Sequence, residues 1–338
     1  MTTYRALEVT GTRQFALSER ELVAPSHGQV RVKVEYCGVC HSDVLAVEGM
    51  RADPDVPRVP GHEIVGVIDA VGEGVRAWHV GERVGIGYLG GHCGECESCR
   101  RGDFVNCTDQ PWTGTHVDGG YAEYAYARTT GLVRVPSGLS SSDAAPLLCA
   151  GITTYSALSK LDARPGSLVA VQGIGGLGHL GVQYAKALGY RVAAIARGTD
   201  KAELATRLGA DEYVDSTAAD PGAQLQKLGG AAAIVATASS GTSMSPLVAG
   251  LAPRGRLVVV GAAPDPLSIG TTDLIFGTRT VSGSLTGSAV ENEDSLAFAE
   301  ARGVRPMNEI VPWTDAPKAY ERMLSGQARF RVVLDLAA

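Results

Sequence analysis

The chain has 338 residues, 45% of them apolar, and a formal net charge of −6 with both signs dispersed along its length. That length suits about two domains. With no basic run, no apolar stretch of bilayer length and no basic-then-apolar leader, the expectation is a soluble, cytoplasmic protein with no nucleic-acid or membrane partner.

Residues 1–36 read as short strands and turns: Tyr4 to Val9 alternates, and Gln29 to Glu35 alternates polar and apolar throughout, as a half-buried strand does. Cys37-Gly38-Val39-Cys40-His41-Ser42-Asp43 then packs two thiols, an imidazole, a hydroxyl and a carboxylate into seven residues. A short helical piece ends near Gly49, and a loop carrying Pro54, Pro57 and Pro60 leads to Gly61-His62-Glu63. Ile64–Gly72 reads as a strand closed by a glycine turn, Val80–Val84 as another, and Gly119–Tyr124 as a third. This half has the character of an irregular β barrel built from local pairings. His27, His79 and His116 fall in turns.

Between these strands lies Cys93-x2-Cys96-x2-Cys99-x7-Cys107. Seven cysteines in all, an odd number gathered into clusters, favour thiolate metal sites over disulfides in a reducing compartment. Four thiolates within one short lobe can wrap a tetrahedral ion unaided, the pattern of a closed structural zinc site. An iron–sulfur cluster of the bacterial ferredoxin type needs its fourth cysteine at x3 before a proline, which this chain lacks.

From about residue 149 strands alternate with helices of 10–12 residues, at Leu168–Gln172, Arg191–Ile195, Tyr213–Val214, Ala233–Ala236, Leu257–Val260 and Val281–Ser284. Apolar strands with crossovers of that size imply a doubly wound parallel α/β sheet. Its first turn is Gly173-Ile174-Gly175-Gly176-Leu177-Gly178, set between a strand and a helix, where bare glycine backbone and a helix N-terminus accept a pyrophosphate. The carboxylate that binds an adenosine ribose belongs about 20 residues on. Here Ala196 stands in that place, Arg197 follows, and Lys201 is near. Two cations where an acid is missing suit a 2′-phosphate, so NADP(H) is expected over NAD(H); Asp200 is the rival candidate for a ribose 2′-OH, and otherwise reads as a cap of the following helix. From about 285 the chain leaves this sheet, and Val332–Leu336 reads as a strand returning to the first domain.

Gly38–Asp43, Pro60–Glu63, the four-cysteine lobe, Leu148–Gly151 and Gly173–Gly178 occur in one order at one spacing. The whole resembles the zinc-dependent alcohol dehydrogenases of the medium-chain dehydrogenase/reductase superfamily. The resemblance implies a GroES-like, zinc-binding catalytic domain of residues 1–148 and 285–338, interrupted by a Rossmann dinucleotide-binding domain of residues 149–284. It implies Cys40, His62 and Cys149 as ligands of a catalytic zinc with an open fourth position. With the lobe's four thiolates, two Zn2+ per chain are expected. It implies Ser42 as the hydroxyl that takes the substrate proton, Asp43 as the carboxylate orienting His62, and Glu63 as an acid behind the metal. His41 and Arg331 match residues that contact the cofactor pyrophosphate, and Thr153 one that packs on the nicotinamide. Tyr88 and Trp112 fall where relatives build substrate-pocket walls, and Val281–Leu285 resembles the edge through which relatives form a homodimer or homotetramer.

The chain departs from the pattern where many relatives carry a relay histidine three residues after Ser42: here it is Leu45. With Cys40 on zinc, Cys37 reads as a buried, inert thiol. The implied activity is hydride transfer between a small alcohol, aldehyde or ketone and a nicotinamide. Two rival readings are reduction of activated C=C bonds, whose enzymes in this fold often lose the ligands present here, and a non-catalytic binding protein reusing the fold.

Overall fold

The computed structural model describes residues 2–51, 53 and 55–337, so Pro54 of the expected loop lies outside the described residues. Two compact units divide the chain: Met1–Ile152 with Gly287–Ala301 and Arg305–Ala338, and Thr153–Thr286 with Arg302–Val304. The first unit therefore includes Cys149. No helix among the described residues is long and apolar enough to cross a membrane.

In the first unit a hairpin of β1 (Thr3–Gly11) and β2 (Gln14–Glu21) accompanies a seven-stranded sheet. That sheet is formed by β3 (Gln29–Val39), β4 (Glu63–Val71), β5 (Arg83–Ile86), β6 (Tyr124–Arg128) and β7 (Leu132–Arg134), with two late strands described below. The period-2 pattern of β3 explains its placement. Val30, Val32 and Val34 are buried in the core with Ile64, Ile68, Val84 and Ile86 of β4 and β5. Each such side chain contributes about 1.5–3 kcal/mol by leaving water. Beyond Tyr36 the alternation stops, and Cys37, Gly38 and Val39 are all buried because both faces of the strand are covered there. Two expected strands shift. Val80–Glu82 is a turn and the strand begins at Arg83, while Gly119–Glu123 is loop and bridge, with strand only from Tyr124. In both places glycines satisfy turns rather than ladders.

The second unit holds six parallel strands: β8 (Leu168–Gln172), β9 (Arg191–Ala196), β10 (Glu212–Asp215), β11 (Ala231–Ala236), β12 (Leu251–Val259) and β13 (Thr280–Gly283). Their order is β10-β9-β8-β11-β12-β13, the doubly wound arrangement whose chain reversal lies at β8 and β11. All five residues of β8 are buried, as a central strand covered on both faces requires. The helices 178–187 and 221–227 form where expected, whereas the stretch near 243–250 is a single helical turn followed by a 3-10 helix.

The last two strands belong to the first unit's sheet. β14 (Asn308–Pro312) lies parallel to β15 (Arg331–Asp335), which pairs antiparallel with β3 in the register Val332↔Val39 and Leu334↔Cys37. The pairings are thus not all local: the C-terminal strand completes the sheet beside Cys37–Val39.

The β3–β4 pairing carries a bulge between Val34 and Tyr36, and there the backbones approach so closely that a Cβ on Gly66 would sit 2.1 Å from the carbonyl oxygen of Lys33. Gly66→Ala is expected to cost about 1–3 kcal/mol through overpacking, read as a lower urea midpoint; an unchanged midpoint would show that the strands can separate freely.

Candidate active site

Three separate segments converge in the first unit. At the end of β3, Cys40 is extended (φ −121°, ψ 153°) and leads into a 3-10 turn, His41–Asp43. The turn is closed from both sides: Asp43 N–H donates to the Cys40 carbonyl at 3.1 Å, and Cys40 N–H donates to Asp43 Oδ2 at 2.9 Å. This geometry turns Cys40 and Asp43 inward and leaves His41 exposed and Ser42 half-buried on the outer side.

His62 and Glu63 open β4. They follow Gly61, whose φ of +97° favours glycine and whose Cβ would meet the Tyr121 ring at 2.5 Å and Cys37 Sγ at 2.8 Å. Cys149 lies in a π-helical turn, Leu147–Gly151, where Asn292 Nδ2 donates to the Leu148 carbonyl at 3.1 Å. Such turns break the helical hydrogen-bond ladder and are frequent at functional sites.

Together these segments bring ligand atoms of Cys40, His62, Glu63 and Cys149 within 4.8 Å of one another. His62 Nδ1 lies 2.9 Å from Asp43 Oδ1, with both side chains 1% exposed. The other ring nitrogen, Nε2, is buried with no hydrogen-bond partner. A carboxylate holds the proton on Nδ1, so Nε2 presents a lone pair. Cys40 Sγ and Cys149 Sγ are 3.7 Å apart. Their mutual hydrogen bond holds the Cys40 thiol well below its usual range and pushes that of Cys149 up. Two sulfurs this close cannot both be anionic without a compensating cation. An orphaned imidazole nitrogen and two such sulfurs fit a divalent ion.

Behind them Arg331 pairs with Glu63 Oε1, both buried, and also donates to the Val39 carbonyl at 3.2 Å. Burial pushes the Glu63 carboxyl up to about 8, against the pull of the Arg331 guanidinium. Gly38 makes room for this pair, since a Cβ there would lie 1.8 Å from Glu63 Oε2. The resemblance implies Arg331 on the cofactor pyrophosphate; here its guanidinium pairs with Glu63. Tyr121, which no motif singles out, is fully buried and donates to Asp43 Oδ2 at 3.0 Å. The glycine pair before it was the only signal. Cys37 is buried, and burial raises its thiol well above its usual range, which keeps it inert. Tyr88 lies edge-on to the His62 ring; burial and the neighbouring sulfurs of Cys149 and Cys40 keep its phenol protonated.

The sulfurs of Cys93, Cys96, Cys99 and Cys107 form a second cluster within 4.8 Å. Main-chain N–H groups point at them: Glu95 and Cys96 donate to Cys93 Sγ at 3.4 Å, and Cys93 and Asp109 donate to Cys107 Sγ at 3.3 and 3.4 Å. N–H groups of Cys99 and Thr108 lower the Cys96 thiol to about 6, while burial and neighbouring sulfurs push Cys99 up to about 12. Backbone donors that stabilise thiolate suit a closed tetrathiolate site.

In the second unit the glycine loop has a pyrophosphate cradle's proportions. Gly173 has φ +88°, nothing lies within 4 Å of a Cβ built on Gly175, and a Cβ on Gly178 would strike the Gly173 carbonyl at 1.6 Å. Gly176 and Leu177 are half-buried ahead of the helix that starts at Gly178. Side chains hold the loop's carbonyls: Thr237 Oγ1 donates to Gln172 O at 2.7 Å, Lys201 Nζ to Ile174 O at 2.8 Å, and His179 Nδ1 lies 2.8 Å from Gly175 O. Lys201, expected beside a 2′-phosphate, is thus tied to the loop. Arg197 is exposed at the end of β9, and Asp200 does not cap the next helix, which starts at Ala202 behind Lys201. Thr153 is buried at the start of this unit.

Family models match two stretches: "Alcohol dehydrogenase GroES-like domain" over residues 26–137 and "Zinc-binding dehydrogenase" over residues 176–301. The chain is 43% identical over 321 residues to alcohol dehydrogenase notN of Aspergillus sp. (strain MF297-2), covering 95% of this chain and 94% of that protein. It is 41% identical over 322 residues to an alcohol dehydrogenase of Geobacillus stearothermophilus, covering 94% and 96%. Among solved structures, cinnamyl alcohol dehydrogenase SbCAD4 from Sorghum bicolor superposes with a TM-score of 0.90 at 34% identity, covering 100% of this chain and 98% of that one.

Asp43→Asn replaces the anion on His62 Nδ1 with a neutral amide and disturbs the Cys40 and Tyr121 bonds. Metal retention at the Cys40–His62–Cys149 cluster is expected to weaken about 10–100-fold, measured by titration with a competing chelator; unchanged retention would remove Asp43 from the site.

Proposed function

The chain belongs to the zinc-type medium-chain dehydrogenase/reductase family and is an oxidoreductase of its alcohol dehydrogenase branch, and on that premise we propose a zinc-dependent alcohol dehydrogenase, or aldehyde and ketone reductase, that prefers NADP(H). The observation that carries this reading is the buried His62 Nε2, without a protein partner, grouped with two sulfurs 3.7 Å apart. Cys40, His62 and Cys149 hold one zinc ion, with Glu63 beside it, and Cys93, Cys96, Cys99 and Cys107 hold another. Bound at the first of these, zinc supplies Lewis-acid polarisation of the substrate oxygen, and the nicotinamide supplies or accepts the hydride.

The chain's own residues set the remaining chemistry. Asp43 orients His62 and holds a ring proton on Nδ1, which turns Nε2 toward the two sulfurs. Arg331 fixes Glu63 behind the ligands and sets a buried guanidinium against its charge. Ser42, on the outer side of the 3-10 turn, accepts the proton that an alcohol must lose. Leu45 has no titratable atom, so that proton leaves Ser42 for water, the cofactor ribose or another base. His41, exposed on the same turn, meets a phosphate of the cofactor, and Thr153 packs on the nicotinamide. The glycine loop and the helix behind it take the pyrophosphate. Arg197, exposed and followed by Gly198, takes the 2′-phosphate, and Lys201 fixes the loop.

Two measurements test this. Metal analysis is expected to find about two zinc ions per chain, one closed and one open site. Cys149→Ala should lose one ion and the activity while keeping the fold, whereas Cys99→Ala should lose one ion and much of the stability. A single ion in the parent protein would remove one of the two sites. In a panel of aldehydes and alcohols with both cofactors, Arg197→Ala is expected to lower kcat/KM with NADPH about tenfold, the worth of one charge-assisted hydrogen bond, and to leave NADH unaffected. Equal loss with both would sink the NADP(H) assignment.

A further inference from the structure

Four aromatic rings run in series from the buried His62 to the protein surface. His62 meets Tyr88 edge-on, with ring centroids 5.1 Å apart and an interplanar angle of 77°. Tyr88 stacks on Trp112 at 5.6 Å and 27°, and Trp112 stacks on His116 at 4.5 Å and 14°. Burial decreases along the series: Tyr88 and Trp112 are half-buried and His116 is exposed.

The indole stacks on both neighbours in the series, Tyr88 and His116. Its main chain is tied as well. The segments 88–90 and 111–113 are laced by Gly90 N–H to Pro111 O at 2.8 Å and Thr113 N–H to Tyr88 O at 3.0 Å. The Trp112 carbonyl accepts from the N–H groups of Thr115, His116 and Val117, and the Trp112 N–H donates to His116 Nδ1 at 3.4 Å. The imidazole is therefore bound to the residue whose ring it covers, and Trp112 cannot swing without breaking the stack.

We propose that His116 is a specificity-determining positioning residue, which clamps Trp112 so that Tyr88 and Trp112 form a rigid aromatic wall favouring flat aryl or conjugated aldehydes and alcohols over branched aliphatic ones. This rests on the dehydrogenase reading above. We set the carbon tail of a substrate whose oxygen is held at the Cys40–His62–Cys149 cluster against Tyr88, whose ring meets His62 edge-on. Fixed ring edges make edge-to-face contacts with a planar tail. A branched tail needs one of the plates to move, and His116 prevents that movement. His116 itself touches no reacting atom.

The test compares kcat/KM for benzaldehyde and for 2-methylpropanal in the zinc-loaded protein, with both NADPH and NADH, together with tryptophan emission. His116→Ala is expected to lower the benzaldehyde to 2-methylpropanal ratio about tenfold, the scale of one lost aromatic pair. His116→Phe, which restores a stacking ring, should return the ratio to within about twofold of the parent on the same scale. His116→Ala should also change the emission of Trp112, and this change should vanish in a Trp112→Phe background where only Trp78 and Trp313 emit. A ratio unmoved by His116→Ala, or moved equally by His116→Phe, overturns the clamp. So does an unchanged emission. A parent protein that turns over neither aldehyde with either cofactor overturns the dehydrogenase reading instead, and the substrate preference falls with it.

Discussion

The hydrogen bond between His62 Nδ1 and Asp43 Oδ1 is the interaction on which the candidate site depends. A neutral imidazole has one N–H and one lone pair, and which nitrogen carries which is set by its environment. With a buried carboxylate 2.9 Å from Nδ1, the proton stays there and Nε2 is left as a base with no protein partner. The carboxylate is itself constrained. Its second oxygen accepts from Tyr121 Oη and from the Cys40 main chain, so it cannot rotate away without leaving buried donors unpaired. One side chain therefore couples the conformation of the Cys40 turn to the tautomer of the histidine across from it.

The register of three strands extends this constraint into the sheet. β3 pairs Gly38 with Glu63 of β4 and Val39 with Val332 of β15. Arg331, next to Val332, therefore lies beside Glu63, although 268 residues separate them in the chain. A buried ion pair loses much of its Coulombic gain to desolvation. This one also leaves Glu63 Oε2 and Arg331 Nε without partners. Packing stability gives no reason to keep it, since apolar residues would fill the same volume at less cost. Its place behind two sulfurs and an imidazole gives one: it holds a carboxylate near the candidate cation site and sets a guanidinium against its charge.

What could be read from the sequence divides along the same line. The alternation of Val30, Val32 and Val34, the four-cysteine lobe and the glycine loop are short-range patterns, and each forms where its spacing predicts. The parallel sheet followed from apolar strands separated by crossovers of the right length. Long-range partners were not legible, because they depend on register and no spacing records it. Tyr121 on Asp43, Asn292 on the Cys149 turn and Arg331 on Glu63 are all of this kind. Lys201 shows the limit from the other side. Its position near the missing ribose acid suggested a phosphate contact, but four methylenes reach equally well to the Ile174 carbonyl, and a buried carbonyl without a donor is the costlier omission.

The two sulfur clusters therefore differ in what they require of the fold. Cys93 to Cys107 spans 14 positions, and the N–H groups that stabilise its thiolates come from the same lobe. Its geometry can be assembled locally, which is the property of a structural site. Cys40 and Cys149 lie 109 positions apart and meet only when β3, β4 and the π-helical turn are all in register. A one-residue slip of β3 would turn Cys40 outward and move Gly38 from beneath Glu63. The Cys40–His62–Cys149 cluster thus exists only in the correctly paired sheet, while the lobe that carries the other four cysteines does not report on that pairing.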